Sequence, residues 1–83
     1  MTAVHEQIRN YIVDNFLFGD DKGLEDTTSF LETGIIDSTG ILELISFLEE
    51  SFPLKVYDNE LIPENLDSIS NLLSFIAKKV GTL

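Results

Sequence analysis

The stretch GIIDSTGILELISFLEESF, residues 34–52, decides the fold. Ile41, Leu44, Ile45, Leu48 and Phe52 fall at i, i+3, i+4, i+7 and i+11, the apolar stripe of one amphipathic helix. Asp37 and Ser38 both suit the capping position before it, and Pro53 stops it by lacking a donor N–H and restricting Phe52. Upstream, Val4, Ile8, Tyr11, Ile12 and Phe16 repeat the spacing over about residues 2–17 and predict helix one. Between the two, residues 18–36 lose all periodicity at Gly19, Asp20, Asp21, Gly23 and Gly34. Two apolar pairs, Phe30-Leu31 and Ile35-Ile36, are expected to pin this long connection to the core, with a helical turn after Thr28 or Ser29. Connections of this length inside a small domain usually serve function or cross between helices.

Downstream, LKVYDNELIPENLD (54–67) reads as one short helix. Val56, Leu61 and Ile62 are expected inside, Asp58 is a candidate cap, and Pro63 closes that turn or opens another. Asp67 or Ser68 then caps a last helix with its stripe at Ile69, Leu72, Leu73, Ile76 and Val80. Lys78 and Lys79 sit where its dipole favours cations, and Gly81 ends it. No stretch alternates like a strand. The expected fold is all-α, a small four-helix bundle of three main helices and one short third helix, with a long connection between helices one and two and one domain over residues 1–83.

Composition removes most function classes. Fifteen acidic against five basic residues leave a net charge of −10, which repels nucleic acid and anionic membrane and favours basic partner surfaces. No cysteine is present, so a disulfide framework, a thiolate zinc site and a thiol of the chain's own are all excluded. The N-terminal MTAVHEQIRN has no apolar signal core and no apolar run reaches bilayer length, so the expected location is the cytoplasm, without membrane insertion.

Serine hydrolysis finds no machinery. Ile36-Asp37-Ser38-Thr39-Gly40 lacks the glycine two residues before the serine and the preceding strand of a nucleophile elbow. The single histidine, His5, is expected as a solvated residue of helix one. The acidic pairs Asp20-Asp21 and Glu49-Glu50 lack the alternating ligands of a calcium loop and read as solvated surface. Ser38 itself is the informative residue. On the helical projection it shares one flank with Leu42 and Glu49, and Thr39, Glu43, Ser46 and Glu50 extend that surface outward. An exposed hydroxyl at a helix N-terminus suits a covalently attached phosphate ester, although Asp-Ser is also a common plain cap.

The same stretch resembles the phosphopantetheine attachment region of acyl and peptidyl carrier proteins: Asp37-Ser38, then Glu43-Leu44, then Leu48-Glu49-Glu50 with Phe52. The likeness continues through the Gly-Ile-Ile lead-in and the run from Val56 to Ile76. It implies a carrier rather than an enzyme, with Ser38 esterified by a phosphopantetheinyl transferase that uses coenzyme A. The arm's thiol would hold an acyl or aminoacyl group as a thioester, and Asp37 would take part in transferase recognition. Implied partners are that transferase, an adenylating or acyl-loading ligase and downstream acyl-transfer enzymes, docking a monomeric carrier by basic surfaces onto Thr39, Leu42, Glu43, Ser46, Glu49 and Glu50. Where carriers of fatty-acid synthesis have leucine and then an acid after the serine, this chain has Thr39 and Gly40. That glycine, like the run Pro63 to Ile69, resembles D-alanyl, stand-alone aminoacyl and secondary-metabolite carriers. The competing expectation is an unmodified acidic helical module that binds a basic partner through the same face.

Overall fold

The computed structural model describes residues 2–20 and 23–81, all of whose regular elements are helical. Three long helices carry the bundle: α1 (Thr2–Phe16), α3 (Ser38–Ser51) and α5 (Ile69–Val80). The connection between α1 and α3 contains a single helical turn, α2 (Phe30–Thr33), capped by Ser29, whose Oγ accepts from the Glu32 N–H at 3.1 Å. A 3-10 turn over Asp58–Glu60 and the one-turn α4 (Pro63–Leu66) lead into α5.

The anticipated stripes meet in one core. Ile8 and Ile12 of α1, Leu44 and Leu48 of α3, and Ile69, Leu72 and Ile76 of α5 are fully shielded from solvent. Their burial, of order 1.5–3 kcal/mol per large apolar side chain, is what holds a chain of this size together. The long connection contributes one member of each apolar pair, Phe30 and Ile36, together with Leu24, while Leu31 is exposed and Ile35 half-buried. The pairs divide because consecutive residues of a turn or extended segment point in different directions.

Backbone hydrogen bonds fix the connection as firmly as its apolar contacts do. The Phe30 N–H donates to the Asp67 carbonyl at 2.8 Å, and the Ser70 N–H donates to the Asp26 carbonyl at 2.9 Å. Arg9 reaches the Leu24 carbonyl at 2.9 Å. His5, expected in solvent, has its Nε2 2.7 Å from Asp26 Oδ1 and ties α1 to the same segment. Asp21, expected as solvated surface, lies outside the described residues.

The segment before α5 departs from its expectation in two respects. It makes two short elements because Pro63, having no N–H, opens a new helical turn instead of extending the 3-10 turn. Leu61 and Ile62 are exposed, since the bonds from their N–H groups to the Asp58 and Glu60 carbonyls turn the chain outward there. With Leu31, Ile41, Pro63, Leu66 and Asp67 they line a shallow groove beside the first turn of α3. Lys79, expected to serve the α5 dipole, instead bridges to Glu60, with its Nζ 2.8 and 3.0 Å from the two carboxylate oxygens.

Candidate functional site at the start of α3

Asp37 is the N-cap of α3. Its backbone is extended, and Oδ1 accepts from the Gly40 N–H at 2.8 Å. This leaves Ser38 as the first helical residue, exposed, with its hydroxyl free of any hydrogen bond among the described residues. The N–H groups of Ser38 and Thr39 likewise have no acceptor there. An exposed oxygen nucleophile beside two outward N–H donors at the positive end of a helix is compatible with a phosphodiester and makes no demand on the packing.

Gly40, where the resembled motif of fatty-acid-synthesis carriers has an acidic residue, has a physical reason. A Cβ there would lie 2.8 Å from Phe16 Cε1 and 2.9 Å from Ile36 Cγ2, so the end of α1 is seated directly on the first turn of α3. Farther along, the Tyr11 hydroxyl donates to the Glu43 carbonyl at 3.1 Å, and its ring stacks on Phe47 with centroids 4.0 Å apart. Partial burial, with Glu43 and Glu50 adding to it, pushes that hydroxyl's pKa above its ordinary 10.0. Sequence reading did not single out this α1 side of the site; only the missing side chain at position 40 hinted at a close approach.

Thr39, Leu42, Glu43, Ser46, Glu49 and Glu50 are all exposed on α3, and Leu42 retains 62% of its accessible surface. Glu49 is not a freely swinging acid: its Oε2 accepts from the Val56 N–H at 2.9 Å and secures the chain after α3. No group of three or more potential metal ligands occurs among the described residues. No helix of the described residues is long and apolar enough to cross a membrane.

The chain matches no family model. It is 33% identical over 79 residues to an acyl carrier protein of Akkermansia muciniphila, covering 95% of each chain. An acyl carrier protein of Bdellovibrio bacteriovorus is 30% identical over 77 residues, with 93% of this chain and 95% of that one covered. The probable acyl carrier protein PigG of a Serratia species is 25% identical over 75 residues, 90% of this chain and 86% of its own. Among solved structures, one described as the crystal structure of an FAD-dependent dehydrogenase contains a chain that superposes with a TM-score of 0.75 at 26% identity, over 83% of this chain and 97% of that one. These coverages make the superposed chain itself small. The chain therefore belongs to the acyl carrier protein family, whose members are carriers and not themselves enzymes.

Proposed function

We propose that Ser38 is the attachment point of the phosphopantetheine that acyl carrier proteins bear, and that the whole chain serves as one carrier domain. The observation that carries this reading is the state of Ser38: first residue of α3, exposed and unbonded beside a carboxylate that already caps the helix. When bound, the group supplies the terminal thiol that holds the acyl cargo as a thioester. Ser38 Oγ supplies the oxygen of the phosphodiester. Asp37 holds the first turn in shape through the Gly40 N–H and leaves the serine oxygen facing outward.

The acidic surface of Glu43 and Glu50 with exposed Leu42 and Thr39 is the docking face for basic partner surfaces, joined at its edges by Ser46 and Glu49. Those partners comprise the transferase, a loading ligase and acyl-transfer enzymes, met by a cytoplasmic monomer. Between Gly23 and Leu54 there are seven acids and no lysine or arginine, which supports fast, salt-sensitive encounter. Cargo is best read as a short acyl or aminoacyl group in secondary metabolism. Phe47, Leu48 and Ile69, needed to receive a long chain, are engaged in packing, and the groove that Leu61 and Ile62 line beside Ile41 of α3 is open rather than enclosed. A flavin-dependent dehydrogenase working on carrier-bound cargo is a partner class favoured by the superposable small chain in that crystal structure.

Intact mass after incubation with coenzyme A and a broad-specificity phosphopantetheinyl transferase tests the attachment. The wild-type chain is expected to gain one phosphopantetheine and Ser38→Ala none. An unmodified wild type would return the chain to the reading of a plain acidic interaction module, and an equally modified Ser38→Ala would move the site elsewhere.

A further inference from the structure

Beyond α1 the chain turns through two consecutive left-handed residues, Phe18 with φ 55° and Gly19 with φ 87°. Both Leu17 and Gly19 return their N–H groups to the Val13 carbonyl, at 3.2 and 2.9 Å, so this turn is the helix's C-terminal closure. Glycine suits such a position; a bulky aromatic residue there is an outlier. The backbone angle closes α1, but the side chain it carries adds nothing to the fold: the Phe18 ring is 93% exposed and belongs neither to the core nor to the side chains packed against it. Glycine would close the helix with less strain, so an aromatic side chain held out in solvent at this position points outside the molecule for its purpose.

Its location narrows that purpose. Phe16, two residues earlier, packs on Gly40, so the end of α1 and the first turn of α3 share one end of the bundle. Phe18 is thus presented at the end that presents Ser38. The neighbourhood is acidic, with exposed Asp14 on α1, Asp37 at the cap of α3 and Glu43 on α3.

We infer that Phe18 is an apolar anchor for the enzyme that modifies Ser38, seating in a hydrophobic pocket whose surroundings are cationic. The inference rests on Ser38 being the attachment site. The modifying enzyme is the favoured occupant because it must bring its reacting atoms to the serine oxygen itself, before any arm exists. Enzymes that act at the tip of the arm can stand farther from the protein body. Charge complementarity guides the approach, and exposed Phe18 and Leu42 supply the apolar contacts.

The test compares wild type, Phe18→Gly and Phe18→Leu as substrates for a broad-specificity phosphopantetheinyl transferase with coenzyme A, alongside thermal unfolding of each. Phe18→Gly is expected to raise KM for the carrier about tenfold with kcat little changed, the loss typical of a truncated interface aromatic, while its unfolding midpoint holds or rises because glycine relaxes the turn. Phe18→Leu should recover part of the lost KM. Wild-type kinetics for Phe18→Gly, or a lowered unfolding midpoint that assigns Phe18 to the fold, overturns the contact and leaves Ser38 as the attachment site. Modification that persists in Ser38→Ala overturns the attachment reading, and this inference with it.

Discussion

The chain writes Asp-Ser twice before a long helix, at Asp37-Ser38 and Asp67-Ser68, and uses the two copies differently. Before α3 the aspartate caps and the serine is the first helical residue, exposed and unbonded. Before α5 the serine caps, accepting from the Asn71 N–H at 3.1 Å, and keeps only 6% of its accessible surface. Asp67, displaced by one position, turns its carboxylate to α2: Oδ1 accepts from the Leu31 N–H at 2.9 Å and Oδ2 from the Ser29 hydroxyl. A shift of one residue in where the helix starts makes one serine available for chemistry and the other structural. Two residues of identity therefore say little about function until the cap is assigned.

The largest effect should come from breaking the structural copy. Asp67→Ala leaves the Ser29 hydroxyl and the Leu31 N–H without their charged acceptor. Hydrogen bonds to charged groups are worth about 1.5–3 kcal/mol; the Ser29 bond is partly buried and the exposed Leu31 bond adds less, so a loss of about 3 kcal/mol is expected. In a domain of this length that lowers the midpoint of thermal unfolding by roughly 12–24 °C. A midpoint close to wild type would show that the α2 turn holds without this link.

Filling the gap at the other copy ranks next. Gly40→Ala pushes a methyl into the Phe16 ring and Ile36. Overpacking costs about 1–3 kcal/mol, partly offset by about 1 kcal/mol of helix propensity. A net loss of about 1 kcal/mol in denaturant unfolding is expected; a stabilised variant would mean that Phe16 yields freely.

Truncating each serine then gives a matched pair. Ser68→Ala should lose about 1 kcal/mol and remain fully modifiable, whereas Ser38→Ala should unfold like wild type. Equal losses for the two serines, measured by urea titration, would erase the distinction drawn between them.

The smallest effect concerns the surface beyond both copies. The Lys79 side chain, by its hydrogen bonds, holds the Glu60 carboxyl below its ordinary 4.5, helped by the Tyr57 N–H. Protons then bind the unfolded chain more readily than the folded one, so this pair's stabilisation is present above about that value and fades as pH falls through the lower folded pKa. Lys79→Met should flatten the acid limb of a melting profile slightly relative to wild type. Superimposable acid limbs would assign the pair no role in stability.

The fold was legible wherever the helical period ran long. The stripes of α1, α3 and α5 each required one buried face and received it, through Ile8 and Ile12, Leu44 and Leu48, and Leu72 and Ile76. Short elements escaped because three or four residues carry no period: Leu61 and Ile62 looked like core by composition, and only the hydrogen bonds around them turn them outward. At the candidate site, α3 announced its exposed face through projection alone. The contribution of α1 was hidden, since the contact of Phe16 with Gly40 spans 24 positions and Phe18 owes its prominence to a backbone angle. Glu49 illustrates the same limit, as its exposure followed from the helix but its bond to Val56 depends on how the chain leaves α3.

The idle hydroxyl of Ser38 bears on how traffic through such a carrier is controlled. As the proposed attachment point, an exposed hydroxyl with no hydrogen bond among the described residues can be esterified without disturbing the body. Empty and charged forms would then share one silhouette. Enzymes sorting them would have to read the tether's tip inside their own channels, so that the choice of when to let go belongs to the partner and not to the carrier.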